Sequence, residues 1–476
     1  MYQHSRLNKN NLDILQKVKN FDYILLICIL LLGFISLATM YSTDGGQILF
    51  HTKSHFIKLT VFTVMMIFFS FINIKYWFSI GYLSYLGIAV LLICTYFFGI
   101  TSSGSKRWID LYFINLQPSE LMKIFIILCL AKYFHRMKLQ NVNSIYTILT
   151  SLIIILLPMG LVIVQPDLGT SILIAISGIA VLWFAGVNYK YFIYTLLGFV
   201  ISLPFIIAFL KPYQKLRVLS FLNPDRDPLG AGYQIIQSKI AVGSGGVFGK
   251  GFLKGTQSYL EFLPEKHTDF IFTLFSEEFG FIGSAVLLLI YAIIIYRIVA
   301  IGANSRSYFA KLFCYSFAAS IFVYITINMS MVLGLLPIVG SPLPIMSYGG
   351  SSMLATMIGF GIVIPFLTYL VEDLATKQDI SEIGLWVGLL MTSYSAAQFL
   401  FSPIWGSLSD RIGRRPVLMI GLVGNTVFFT VFGLANTLMM ALAARFMAGV
   451  FNGNIAVARA YIGDVSTPKQ LASRMG

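Results

Sequence analysis

The sequence predicts an all-α polytopic membrane protein: a ten-span helical bundle with a long outer loop, followed by about three further spans of different composition. Three observations carry that reading. Apolar residues make up 57% of the 476 and charged ones only 11%, where soluble domains run about 45–50% and 25%. Mean hydropathy is +0.82. Apolar runs of about 20 residues, long enough to cross the hydrocarbon core of a bilayer, recur along the chain.

The first element is a span near 22–41. A polar, basic segment precedes it (Arg6, Lys9, Lys17, Lys19), and the apolar run lacks a small-x-small exit and is too long for a cleaved signal peptide. Its N-terminus is therefore expected in the cytoplasm. Further spans are expected near 56–74, 77–99, 118–134, 145–164, 170–187, 191–210, 269–297, 312–336 and 351–370. Lys75, His135, Arg136, Lys138, Lys190, Arg297, Arg306 and Lys311 then fall on the inner side, as the positive-inside rule asks. That use of charge accounts for most of the net +14. No basic stripe interleaves with stacking aromatics, which excludes a nucleic-acid partner. Cys28, Cys94, Cys129 and Cys314 each sit alone in apolar runs and read as buried small hydrophobes.

Two outer loops stand out, 100–117 and 211–268. The second is nearly sixty residues long, and such a loop in a compact bundle is usually functional. It is glycine-rich (Gly243, Gly245, Gly246, Gly249, Gly251, Gly255) and sets Arg217, Lys239, Lys250, Lys254, Lys266 and His267 against Asp225, Asp227, Glu261, Glu265 and Asp269.

Four constellations could carry chemistry. Glu120 and Lys123 share a helix face and, within a span, must pair, either as a structural brace or as part of a site. Pro118 suits the first turn of that helix, with Gln117 or Ser119 as capping candidates. Asp167, in Gln165-Pro166-Asp167-Leu168-Gly169-Thr170, is either a helix cap or a cavity-facing acid. Asp269 closes the densest stretch, Glu261 to Phe272, and reads either as an N-cap or as a general base. Desolvation beside Phe270 and Ile271 raises a carboxylate's proton affinity, while Lys266 opposes it. Glu277 and Glu278, deeper in the same span, call for a polar cavity. Gly340 to Pro344 and Ser347 to Ser352 form a rigid-then-flexible outer loop.

These strings together resemble the SEDS family (shape, elongation, division and sporulation), more on its RodA-like than on its FtsW-like side, over about residues 15–370. The resemblance rests on Gly104 to Ile109 with Trp108, Gln117 to Glu120 with Lys123, Gln165 to Thr170, Gly232-Tyr233-Gln234, Gly255-Thr256-Gln257, Leu263 to Phe272 and Ser347 to Ser352, in family order. It implies a peptidoglycan glycosyltransferase that polymerises lipid II, with undecaprenyl-pyrophosphate-linked glycan as donor, at the outer face of the bacterial inner membrane. It also implies a class B penicillin-binding protein as partner. It puts the essential acid on Asp269 and the intramembrane pair on Glu120 and Lys123. Arg217, Lys239, Lys250, Lys266 and His267 are the candidates for binding substrate, and Trp108, Asp167, Glu277 and Glu278 for shaping the cavity. No cofactor is called for, and a divalent metal is left open.

From about 364 onward the chain resembles the major facilitator superfamily. The resemblance rests on Gly406 to Pro416, with Asp410, Arg411, Arg414 and Arg415, and on Arg445 and Gly449 beyond. Extra spans are expected near 383–403, 417–437 and 439–462, and the domains as 1–370 and 371–476. Ten preceding spans would put the basic motif outside, against the positive-inside rule. A quarter of a transporter has no second half to alternate against, so the tail is expected to lack transport. A lipid II carrier, or a solute transporter led by the tail, are the competing functions.

Overall fold

The computed structural model describes residues 22–102, 105–110, 115–209, 215, 219–221, 223–224, 230–256, 265–305, 307–364, 383–435, 437–454 and 457. They divide into two compact units, one within Phe21–Leu367 and the other within Thr368–Gly476.

The first unit is built from α1 (Tyr23–Thr43), α2 (Phe50–Ser70), α3 (Ile74–Phe98), α4 (Pro118–Arg136), α5 (Ile145–Val164), α6 (Leu168–Phe184), α7 (Tyr189–Phe209), α8 (Ala231–Ser244), α9 (Ile271–Asn304), α10 (Tyr308–Val332) and α11 (Gly350–Val363). Every predicted span of this unit overlaps one of these helices. Across the chain, seven described helices are long and apolar enough to cross a membrane. Two features differ from the sequence reading. The long outer loop contains a helix, α8, and the 100–117 loop forms a small antiparallel sheet in the order β1 (Ile100–Ser102), β2 (Ser105–Asp110), β3 (Asn115–Leu116). Alternation of side chains is too weak in strands this short to register in sequence. Trp108 sits in β2 opposite Ile100.

The core lies around α4, α6 and α10, with α2, α3 and α5 on the outside. Helix α4 is buried on nearly every side from Pro118 to Phe134, the mark of a helix surrounded by protein. It can therefore carry charge that a lipid-facing helix could not. Helices α1 and α9 run side by side. At one end Asp22 caps α1 through Leu25 N at 3.0 Å and receives Arg297 Nη2 at 2.7 Å. The other end of this pair brings the end of α1 to the start of α9, and there the polar residues gather.

In the second unit, α12 (Ile383–Ile412), α13 (Arg414–Gly433) and α14 (Leu438–Asn452) pack together. Only Gly413, at φ +93°, separates α12 from α13. The basic motif is thus a helix end (Asp410), one left-handed residue, and a helix start (Arg414, Arg415). Arg411 lies in α12, its side chain outside the described residues. Trp405 Nε1 donates to Val450 O at 2.6 Å, and the Arg445 guanidinium lies over the rings of Tyr394, Phe429 and Phe432, nearest to Phe432 at 4.7 Å. The acids Glu372, Asp373, Asp379 and Glu382, together with Arg6, Lys9, Lys17, Lys19 and Arg306, lie outside the described residues.

Candidate active site

The site starts at the buried N-terminus of α4. Pro118 takes the first turn as expected, but neither capping candidate caps: Gln117 makes no side-chain cap bond, and Ser119 Oγ is buried without a hydrogen bond. Gln117 instead sends Nε2 to Asp167 Oδ2 at 3.1 Å, while its backbone N–H reaches Ser351 Oγ at 2.9 Å. One turn on, Lys123 Nζ donates to Glu120 Oε1 at 2.7 Å and lies 4.1 Å from the centre of the Tyr324 ring. Both charges are buried, so each removes most of the other's desolvation cost.

Asp167 takes the capping role its sequence allowed. It caps α6 by accepting from Thr170 N at 3.2 Å and Oγ1 at 2.9 Å, and its Oδ2 takes Arg107 Nη1 at 3.2 Å. Arg107 comes from β2, so the small sheet ties the 100–117 loop to the helix end.

Asp269 and His267 lie in the turn 265–270 that leads into α9. Asp269 is half-buried, and it is not the helix cap: that position belongs to Phe270, with no side-chain bond. Asn328 Nδ2 holds the Asp269 carbonyl at 2.9 Å and the Ser341 carbonyl at 2.7 Å, joining this turn to the 340s loop. There Gly340 faces the carboxylate: a Cβ at Gly340 would stand 3.5 Å from Asp269 Oδ2. Tyr348 N donates to His267 O at 2.8 Å. Lys266 is buried beside them.

Glu277 and Glu278 are met by the glycine-rich segment, which folds against them. Helix α9 breaks at Gly280, whose φ of +65° is left-handed. The segment supplies the lost backbone partners: Lys250 N to Glu277 O at 3.0 Å, Gly251 N to Glu278 O at 3.0 Å, Phe281 N to Gly246 O at 2.9 Å. Gly249, at φ +79°, presses on the Glu278 carbonyl where no side chain would fit. Glu277 Oε1 collects Lys250 Nζ at 2.7 Å and the N–H and hydroxyl of Thr256 at 2.9 Å each. Ser42 Oγ donates to Glu278 Oε1.

Lys250 is therefore committed to Glu277, and Lys239 is exposed on α8 beside Gly334. Arg217, Asp225, Asp227 and Glu261 lie outside the described residues. Sequence reasoning missed Ser42, Asn328, Asp44 and His51, and met Arg107, Thr256 and Ser351 only as members of family strings. Only Asn328, an amide inside an apolar run, carried a signal of its own.

A multi-pass membrane protein with buried ion pairs, and with polar residues gathered where the end of α1 meets the start of α9, is the class these features define. Residues 18–370 match the profile of the cell cycle protein family that groups FtsW, RodA and SpoVE, and the chain belongs to that family. Residues 350–476 match the Major Facilitator Superfamily, so a transporter-type fragment follows in the same chain. The peptidoglycan glycosyltransferase MrdB of Escherichia coli K12 is 44% identical over 296 residues, 61% of this chain and 78% of that protein. The probable peptidoglycan glycosyltransferase FtsW of Buchnera aphidicola subsp. Baizongia pistaciae is 34% identical over 358 residues, 73% of this chain and 93% of that one. A chain solved in work on the coordination of polymerization and crosslinking by a peptidoglycan synthase complex superposes with TM-score 0.64 at 27% identity, covering 74% of this chain and 98% of its own. The Thermus thermophilus rod shape determining protein RodA shares the fold, with TM-score 0.56 at 22% identity, covering 73% and 96%.

Proposed function

We propose that the chain is a peptidoglycan glycosyltransferase of cell elongation, polymerising lipid II at the outer face of the bacterial inner membrane, with Asp269 as general base. Support for the elongation role is the 44% identity to MrdB against 34–38% to proteins named FtsW. The observation that carries the chemistry is a half-buried carboxylate at the start of α9, one residue before the N-cap Phe270 and facing Gly340.

The donor is glycan on undecaprenyl pyrophosphate, and the acceptor is the 4-hydroxyl of the incoming lipid II. As the anomeric carbon–oxygen bond breaks, the sugar gains oxocarbenium character and the acceptor oxygen forms the new bond. Asp269 takes the acceptor's proton. The electron pair leaves on the pyrophosphate, whose growing charge requires cations. Arg217, Lys239, Lys266 and His267 are assigned that role, and Lys250 acts on it only through Glu277. Glu120, Lys123 and Asp167 with Arg107 brace the site from below, and Trp108 shapes its rim. A class B penicillin-binding protein crosslinks the product, and the C-terminal fragment has no transport role.

The test gives the purified chain lipid II, with and without the transpeptidase. Glycan strands should form and fall at least about 100-fold with Asp269→Asn. Strand synthesis by that variant at the normal rate overturns the assignment, and headgroup translocation without polymer favours a carrier. Truncation at residue 371 should preserve polymerisation. Rescue of rod shape, but not of division, in depleted cells checks the elongation role.

A further inference from the structure

We propose that Arg136 and Lys132 bind the phosphate of an anionic membrane phospholipid where the end of α4 packs on α3. The two cations stand one turn apart, so they share a face of α4. That face meets Phe78 and Tyr82, themselves one turn apart on α3. Lys132 Nζ lies 4.4 Å from the centre of the Tyr82 ring and 5.3 Å from that of Phe78. Arg136 Cζ lies 5.8 Å and 5.4 Å from the same two centres. His135 meets Phe78 edge-on, and its Nδ1 accepts from Phe309 N at 3.2 Å, which ties this end of α4 to α10.

No carboxylate answers these charges. Among the described residues neither Lys132 nor Arg136 has an ionic partner. Lys132 spends one proton on Ser79 O at 2.6 Å, and the Arg136 guanidinium makes no hydrogen bond among the described residues. Like charges one turn apart destabilise a helix. The ring faces offset part of that repulsion, and an anion would offset the rest. The positive-inside rule asks only for cations in the watery loops. It does not account for an ammonium that is 4% exposed and held against two rings. Arg136, by contrast, is exposed and ends its helix. Its planar fork can take two phosphate oxygens at once, while Lys132 adds charge from beneath.

The surface around the pair fits a lipid better than a free phosphate. Helix α3 lies on the outside of the bundle, and its exposed side from this point on is apolar: Ile80, Leu83, Leu86 and Val90. Acyl chains can run along that side with the headgroup at Arg136. The positive-inside reading sets this end in the cytoplasmic leaflet, whose anionic headgroups attract basic side chains. The site lies at the opposite end of α4 from Gln117 and Glu120, and it does not depend on the glycosyltransferase reading.

The full-length chain, delipidated in a neutral detergent, is titrated with phosphatidylglycerol, and bound lipid is counted by native mass spectrometry. One phosphatidylglycerol should bind in preference to phosphatidylcholine, and more weakly as salt rises. Arg136→Gln and Lys132→Met should each weaken binding at least about fivefold, with Lys190→Gln binding as the wild type does. Inorganic phosphate at equal concentration should not displace the lipid. Undiminished binding by Arg136→Gln, or equal binding of phosphatidylcholine, overturns the site. Displacement by equal phosphate overturns the lipid as its occupant. The Arg136 side chain is exposed, so Arg136→Gln decides should Lys132→Met fail to fold.

Discussion

Glu120 is neutralised by Lys123 one turn along the same helix, whereas Glu277 is neutralised by Lys250, 27 residues earlier and in a different element. Both carboxylates are buried, yet their cations differ: Lys123 is 3% exposed and Lys250 28%. The first pair is sealed and has little other support. The second is one strand of a clasp in which backbone and hydroxyl donors share the load, so the two should respond differently to loss of their cations.

The largest effect is expected from Lys123→Met, which strands Glu120 among apolar neighbours and should cost about 3–5 kcal/mol in detergent-based unfolding. Replacing both partners with apolar residues should recover most of that loss. Gly249→Ala comes next. The left-handed backbone alone costs about 1–3 kcal/mol, the contact with the Glu278 carbonyl adds to it, and faster proteolysis within 245–256 should report the opened clasp. Ser351→Ala removes the acceptor for Gln117 N and should cost about 1–2 kcal/mol by leaving a buried donor unmet. The smallest effect belongs to Lys250→Met: Thr256 still serves Glu277, and a partly exposed cation is screened, so under about 1 kcal/mol is expected. A loss there as large as that of Lys123→Met would break the contrast; a ratio of three or more sharpens it.

How far each cluster could be read in sequence follows the same division. The Glu120–Lys123 spacing lies within one helical turn, so pairing was legible as soon as the run around it was read as a span. Asp167 was legible as a cap for the same local reason, but its Arg107 partner was not. The clasp at Glu277 and Glu278 was not legible, because its donors, Lys250, Thr256 and Ser42 with loop backbone, come from separate parts of the chain. Asp269 was legible as an N-cap or a general base, and only the structure put Phe270 in the cap position.

By itself, the sequence determined that lipid is the solvent, where the helices run, and which charges need company, because hydrophobicity and helical spacing are properties of neighbouring residues. The tertiary structure alone decided who supplies that company: Ser42 and Thr256 for the glutamates, Asn328 for the turn that carries Asp269, and His51 beside His267. Those encounters join residues tens to hundreds of positions apart. Only the packing of α1, α2, α9 and the glycine-rich segment brings them within the few ångströms over which hydrogen bonds and ring contacts act.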